Sequence, residues 1–169
     1  TMGLNRYPDR DFESLRVAFA KYLGHNLTFE QIWAANGSNE VLQHIFQAFG
    51  GSGRRALGFG PTYSMYPLIA QGMNTEYINA PRLDRYELTP DHVKAEILQH
   101  KPNIVLLCSP NNPTGTPLSL DCVIAAYDAV SQTTGGIVVV DEAYAEFAAA
   151  GAETALELLE GRERLMVSR

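Results

Sequence analysis

The chain has 169 residues, of which 46% are hydrophobic and 19% charged, a composition that excludes disordered and collagen-like classes. A net charge of −6 offers no basic stripe for a phosphate backbone, so nucleic-acid binding is excluded as well. Two cysteines, Cys108 and Cys122, exclude a disulfide-rich scaffold. Apolar runs such as Ile104–Cys108 and Ile137–Val140 are strand-sized, and no apolar run approaches the length of a membrane span. Thr1–Pro8 lacks the pattern of a secretory signal, so we expect a cytoplasmic protein.

Helix-like and strand-like patterns alternate along the chain and are joined by short segments rich in glycine and proline. In chain order the predicted elements are helix Asp11–Leu23, strand Ile32–Ala35, helix Ser38–Phe49 with Ser38 as its N-cap, strand Ala56–Phe59, helix Tyr63–Gln71, strand Thr75–Asn79, helix Thr89–His100, strand Asn103–Cys108, helix Ser119–Thr133, strand Gly136–Asp141 and strand Leu165–Ser168. Such alternation, with strands that are apolar throughout, predicts a three-layer α/β fold with a mainly parallel central sheet. No boundary between domains is evident.

Two sequence patterns suggest ligand sites, but the elements or residues around them do not match those that such sites require. Gly51–Ala56 matches the G-x-G-x-x-A pattern of dinucleotide-binding proteins, but a helix precedes it and a strand follows, the reverse of the required order. Glu40 and His44, like Glu96 and His100, lie four residues apart on helices and lack the second ligand pair of a zinc site. We interpret them as surface i, i+4 contacts, and no metal site is predicted.

Asn36–Glu40 places backbone N–H groups at the start of a predicted helix, directly after a predicted strand. Such a helix N-terminus is suited to an anion such as phosphate. Taken alone, however, this segment favours a plain capped helix.

Polar or aromatic segments also follow three other predicted strands. Ser109–Gly115 contains two prolines, a glycine and paired asparagines, more constraint than a simple turn needs, so a functional loop is favoured. Asp141–Tyr144 places a carboxylate at the end of a buried strand, where it is costly unless it meets a cation. Pro61–Tyr66 offers a ring for stacking, a weak signal by itself because such aromatics are often part of the core.

These four segments occur in the order and approximate spacing of the fold-type-I pyridoxal-phosphate aminotransferases, which the whole chain resembles. The combination S-P-N-N-P-T-G at Ser109–Gly115 and D-E-A-Y at Asp141–Tyr144 is specific, and the other two segments are weaker. The start Asn5–Asp9, together with Pro61–Tyr66, is most similar to the histidinol-phosphate aminotransferase group. The resemblance implies that residues 1–169 form part of the cofactor-binding large domain of that fold.

The resemblance also implies a pyridoxal phosphate cofactor and a homodimer with shared active sites. It assigns cofactor contacts as follows: Asp141 to the protonated pyridine nitrogen, Asn112 and Tyr144 to the phenolic oxygen, Tyr63 to the ring face, the backbone donors of Ser38 and Asn39 to the phosphate, and Tyr7 to the phosphate of the partner subunit's cofactor.

The lysine that such enzymes need as Schiff-base residue and proton shuttle is not matched in this chain. Lys21, Lys94 and Lys101 lie on or beside predicted helices, outside the serine–lysine context of the family. Members of the family continue past a strand that ends like Met166–Arg169 into a short loop with this lysine. We therefore expect the lysine region, the N-terminal arm and the C-terminal small domain to be missing from this chain. The chain alone is expected to be inactive, as a segment of a longer enzyme or a truncated product.

The activity implied for the parent protein is transfer of an amino group from histidinol phosphate to 2-oxoglutarate, giving imidazole-acetol phosphate and glutamate in histidine biosynthesis. An aromatic amino-acid aminotransferase and a threonine-phosphate decarboxylase share the quoted motifs and stay open. An alternative of another class is a binding module without the lysine and without turnover. The motifs do not distinguish among the amino donors.

Overall fold

The computed structural model describes residues 7–169 of the chain. Five α-helices occur in these residues: α1 (Glu13–Leu23), α2 (Ser38–Phe49), α3 (Met65–Gly72), α4 (Pro90–His100) and α5 (Leu120–Gln132). The same residues contain five strands: β1 (Arg55–Gly60), β2 (Glu76–Pro81), β3 (Ile104–Cys108), β4 (Ile137–Asp141) and β5 (Leu165–Ser168). Within residues 7–169, none of the helices has the length and apolar character needed to cross a bilayer.

The five strands form one sheet in the order β2-β1-β3-β4-β5, and every neighbouring pair is parallel. Side chains alternate between the two faces of each strand, as the two-residue period of a strand requires. In β3, Ile104 and Leu106 pack with residues of α2 and α3, whereas Val105 and Leu107 pack with residues of α4 and α5. Both faces are therefore covered, and the predicted three-layer α/β fold is confirmed.

Most predicted elements are confirmed with bounds shifted by at most two residues. The strand predicted at Ile32–Ala35 is wrong. No strand of the described chain pairs with this segment, and the carbonyl of its first residue accepts a hydrogen bond from Arg16 Nε at 2.9 Å instead. Ser38 is also not an N-cap, because it is the first residue of α2 and Gly37 occupies the cap position. A short apolar run thus looked like a strand although the sheet offers it no neighbour.

The path of the chain through the sheet identifies the place where a ligand is expected. After β1 the chain forms β2 on one side and then crosses back over β1 to form β3 on the other. The carboxyl ends of β1 and β3 therefore meet at a topological switch point, where open α/β sheets bind their ligands. Pro61–Tyr63 and Ser109–Gly115 extend from these two ends.

Candidate functional site

Asn111 joins the two loops at the switch point. Its Nδ2 donates to the carbonyl of Pro61 at 3.0 Å and to the hydroxyl of Thr114 at 2.7 Å, and its Oδ1 accepts from the hydroxyl of Thr62 at 2.9 Å. The side chain is buried, so these bonds are shielded from competing water. Asn111 thereby fixes the loop that carries Tyr63 against the loop that follows β3. Sequence analysis selected its neighbour Asn112, and the paired asparagines were the signal that could have identified both.

The start of α2 provides free backbone donors beside Tyr63. Gly37 adopts φ 80° and ψ 169°, a conformation essentially restricted to glycine, and directs the chain into the helix at Ser38. The first N–H groups of a helix have no partner within it, so those of Ser38 and Asn39 are available to an anion. The hydroxyl of Tyr63 donates to Asn39 Oδ1 at 3.0 Å, which places the predicted stacking residue directly beside this anion site.

Glu40, in the first turn of α2, forms hydrogen bonds with the segment before the helix. Its carboxylate accepts hydrogen bonds from the backbone N–H of Asn36 at 2.5 Å and from Asn36 Nδ2 at 2.8 Å. The backbone bond is the main reason that the pKa of Glu40 is lowered from its ordinary value. The charge of Glu40 therefore stabilises the turn before the helix.

Asp141 is the last residue of β4 and is only 3% exposed. Its Oδ2 accepts a hydrogen bond from the hydroxyl of Tyr66 at 2.7 Å, and its Oδ1 accepts from Ser168 Oγ at 3.1 Å and from the backbone N–H of Ala143 at 3.2 Å. Burial, followed by the charge of Asp141, raises the pKa of Tyr66, so its hydroxyl stays protonated and donates. Sequence analysis did not identify Tyr66 or Ser168 as partners of this carboxylate.

Within residues 7–169, no cation accompanies Asp141. Among the ion pairs that residues 7–169 form, none includes this carboxylate. A buried carboxylate is expensive unless a positive charge or several hydrogen bonds compensate it, and here only uncharged donors do so. The arrangement therefore leaves Asp141 able to accept a cation from a ligand.

Glu142, the next residue, is 4% exposed and has three hydrogen-bond partners. It accepts hydrogen bonds from the backbone N–H of Ala155 at 2.6 Å and from the hydroxyl of Thr154 at 2.8 Å, and Arg169 Nε lies 3.1 Å from Glu142 Oε2. This carboxylate holds the segment before β5 against the end of β4.

Asn112 and Tyr144 come together across the loops that follow β3 and β4, since Asn112 Nδ2 donates to the tyrosine hydroxyl at 3.3 Å. Both residues line a cavity of about 1180 Å³ between these loops, together with Arg169. The two polar groups predicted to share one ligand atom thus lie within hydrogen-bond distance of each other.

Tyr63, which precedes α3, and Tyr66 on α3 connect the start of α2 with Asp141. The rings of Tyr63 and Tyr66 pack edge to face, with centroids 5.4 Å apart and an interplanar angle of 82°. Tyr66 therefore contacts both the predicted stacking ring and the predicted acid, Asp141. Tyr7, by contrast, is fully exposed, and Asn5 and Arg6, which belong to the quoted start motif, lie outside the described residues.

Comparison with known proteins identifies relatives along the whole chain. The family model described as Aminotransferase class I and II matches residues 1–169. A histidinol-phosphate aminotransferase of Paenarthrobacter aurescens is 62% identical over 167 residues, which cover 99% of this chain and 45% of that protein. A protein of the same name from Thermobifida fusca is 51% identical over 168 residues and is likewise covered to 45%. The chain therefore spans slightly less than half the length of these relatives.

Solved structures show the same fold. The crystal structure of a histidinol-phosphate aminotransferase from Sinorhizobium meliloti, in complex with pyridoxal-5'-phosphate, aligns with a TM-score of 0.83 at 22% identity. This alignment covers 96% of the present chain and 43% of the other. An aspartate aminotransferase from Thermus thermophilus in complex with maleate aligns with a TM-score of 0.80 at 21% identity. At these identities the likeness concerns the fold alone.

Proposed function

The chain belongs to the class I and II aminotransferase family, and from this membership we propose that the whole protein is a pyridoxal-phosphate-dependent aminotransferase. Residues 1–169 form part of its cofactor-binding large domain. The observation that carries the proposal is the buried Asp141, which has no cation partner within residues 7–169 and is located at the end of a central strand. Tyr66 and Tyr63 connect it to the N-terminus of α2.

The donors and acceptors around this point fit pyridoxal phosphate. When bound, the cofactor supplies a pyridinium ring that stabilises negative charge at the α-carbon of the substrate. Asp141 holds the proton on the ring nitrogen, and the N–H groups of Ser38 and Asn39 bind the phosphate. Tyr63 packs on the ring face, where its bond to Asn39 already directs it.

Asn112 and Tyr144 donate hydrogen bonds to the phenolic oxygen of the cofactor in this proposal. The Asn112 amide and the Tyr144 hydroxyl are within hydrogen-bond distance of each other, so a single oxygen can accept from both. The Asn112–Pro113 peptide and the buried Asn111 restrict the loop that presents Asn112. The pair therefore needs little reorganisation when a ligand arrives.

The lysine that binds the cofactor is assigned to a part of the protein outside this chain. Lys101 lies three residues before β3 in the chain and thus near its amino end, at the sheet edge opposite Asp141, and Lys94 lies on α4. Lys21 lies on α1. Since the chain covers 45% of its relatives, the remaining length is sufficient for this lysine and for a second domain.

For substrates we propose histidinol phosphate as amino donor and 2-oxoglutarate as acceptor, with imidazole-acetol phosphate and glutamate as products, in the cytoplasm. Relatives that are 46 to 62% identical over nearly the whole chain carry the name histidinol-phosphate aminotransferase, which supports this choice over an aromatic amino-acid aminotransferase. The test compares kcat/KM of the whole protein for histidinol phosphate and for phenylalanine. A higher value for phenylalanine would reject the proposed donor and keep the reaction type.

The cofactor is tested separately from the donor. Purified whole protein is expected to show visible absorbance with pyridoxal phosphate, and borohydride reduction is expected to leave a stable increase in intact mass on a lysine-containing peptide. An unchanged mass, with no visible absorbance, would reject the cofactor and with it the proposed activity.

A homodimer with shared sites is part of the same proposal, with Tyr7 reaching the partner's cofactor phosphate. The full exposure of Tyr7 leaves its hydroxyl free for such a contact. Hybrid dimers test it: Tyr7→Phe protomers are mixed with Asp141→Asn protomers. If each site combines Asp141 of one protomer with Tyr7 of the other, the hybrid contains one intact site and regains up to half of the wild-type activity. If Tyr7 serves its own protomer, the hybrid contains no intact site.

A further inference from the structure

The hydrogen bonds of Asp141 occupy its two oxygens unequally. A carboxylate offers about four acceptor positions, two on each oxygen. Oδ1 accepts from both Ser168 and Ala143, whereas Oδ2 accepts only from Tyr66 within the described part of the chain. The remaining acceptor position therefore lies on Oδ2, the atom that Tyr66 already holds.

Tyr66 is firmly placed for this contact. It is 0% exposed, its ring packs edge to face on Tyr63, and it belongs to α3, which covers the sheet face containing Ile104 and Leu106. Its hydroxyl is 2.7 Å from Oδ2, the shortest of the three hydrogen bonds to Asp141. A hydrogen bond from a fixed donor to a buried charged acceptor restricts the rotation of that carboxylate.

We propose that Tyr66 is a positioning residue that orients Asp141, so that Oδ2 presents its remaining acceptor position to the ring nitrogen of pyridoxal phosphate. This inference rests on the proposed function. Tyr66 acts only through Asp141, and the effect of its hydroxyl therefore depends on the presence of a ring nitrogen in the ligand.

The chain provides a matched control in Tyr77 on β2. Tyr77 also has a buried hydroxyl, and that hydroxyl has no hydrogen-bond partner among the described residues. The Tyr77→Phe and Tyr66→Phe variants thus lose the same group from the same side of the sheet, but only Tyr66→Phe changes the contacts of Asp141. Thermal unfolding and circular dichroism of the apoproteins verify that both variants fold.

The test measures dissociation constants of two ligands for the whole wild-type protein and both variants. The ligands are pyridoxal phosphate and its carbocyclic analogue, in which carbon replaces the ring nitrogen. We expect Tyr66→Phe to bind pyridoxal phosphate about 10-fold more weakly, the usual effect of losing a hydrogen bond to a charged group. It should bind the analogue as the wild type does, within about twofold, because the analogue has no nitrogen for Asp141 to meet. Tyr77→Phe should leave both constants unchanged.

The outcomes separate the two proposals. An equal loss of affinity for both ligands in Tyr66→Phe would show a merely structural role and overturn this inference, as would no loss for either. Wild-type protein that binds neither ligand would overturn the proposed function, and the inference with it. A wild type that prefers pyridoxal phosphate, and a Tyr66→Phe variant that has lost most of this preference, would establish the positioning role.

Discussion

Asp141 and Glu142 are consecutive carboxylates at the end of β4, and both are almost completely buried. Three uncharged donors surround Asp141: two hydroxyls and one backbone N–H. Glu142 also accepts from a hydroxyl and a backbone N–H, but its third partner is the guanidinium of Arg169. The two residues therefore differ in one respect, the presence of a protein cation.

From this difference we infer that Asp141 binds a ligand, as in the proposed function, and that Glu142 has a structural role. The charge of Glu142 is balanced inside the chain, so its role is to hold the segment around Thr154 in place. The charge of Asp141 is compensated by hydrogen bonds alone. Burial of this carboxylate therefore costs free energy until a cation binds. A burial profile does not distinguish the two residues, whereas the nature of their donors does.

The largest expected effect comes from Asp141→Asn in the whole protein. We expect kcat/KM to fall by about 100-fold or more, because the cofactor loses the charge that keeps its ring nitrogen protonated. The free energy of unfolding of the apoprotein should change by less than about 1 kcal/mol, since the asparagine amide can still form a hydrogen bond with the Tyr66 hydroxyl, as donor or as acceptor. Steady-state kinetics and denaturant unfolding of the apoprotein test both expectations. Retained activity would remove Asp141 from the site.

Glu142→Gln is expected to show the opposite profile. The variant removes the shorter of the two ion pairs of Arg169 and leaves the contact with Glu146 at 4.0 Å. Because the Arg169 side chain is a quarter exposed, water compensates part of the loss. We expect the free energy of unfolding to fall by about 1–3 kcal/mol, with cofactor affinity within about threefold of wild type. Denaturant unfolding and a cofactor titration measure the two quantities. A loss of affinity without a loss of stability would contradict the structural role.

A double-mutant cycle sharpens the assignment of Arg169. Glu142→Gln, Arg169→Met and the double variant should yield a coupling free energy of about 1 kcal/mol, since Glu142 is buried whereas Arg169 is partly exposed. Denaturant unfolding of the four proteins provides the measurement. The corresponding cycle between Asp141→Asn and Arg169→Met should show no coupling, because Arg169 makes no ion pair with Asp141. Coupling in the second cycle would mean that Arg169 serves both carboxylates.

Tyr77→Phe is expected to have the smallest effect. It measures the free-energy cost of burying a hydroxyl that has no hydrogen-bond partner among the described residues. Removal of this hydroxyl should stabilise the folded protein by about 1 kcal/mol. Burial raises the pKa of Tyr77 from 10.0 to about 12, so the folded state favours the neutral phenol. Because the phenol ionises first in the unfolded state, it has no effect of this kind on the free energy of unfolding below pH 10 and lowers that free energy as the pH rises from 10 toward 12. Denaturant unfolding between pH 9 and 12 should show a shallower alkaline loss in the variant, and identical slopes would contradict the expectation.

Local sequence patterns were sufficient to predict most of the fold and the position of Asp141 at the end of β4. Continuous apolar strands, helix periods and glycine stops predicted ten of the elements, and the end of β4 follows directly from the run that precedes Asp141. Ile32–Ala35 misled the prediction because strand formation requires a neighbouring strand, which a short apolar run does not reveal. The family resemblance added the assignments of Asn112 and Tyr144, and the structure places these two within hydrogen-bond distance.

The alternating elements, the parallel sheet and the polar segments at its carboxyl edge could be predicted from the amino-acid sequence, since these depend on periodicity and on residues adjacent in the chain. Which groups meet at that edge depends on tertiary packing. Tyr66 reaches Asp141 across 75 residues, and Asn111 reaches Pro61 across 50. Such bonds depend on how α3 and the loops pack on the sheet, which no local pattern specifies. The same packing gives Glu142 a cation from Arg169 and leaves Asp141 with uncharged donors alone.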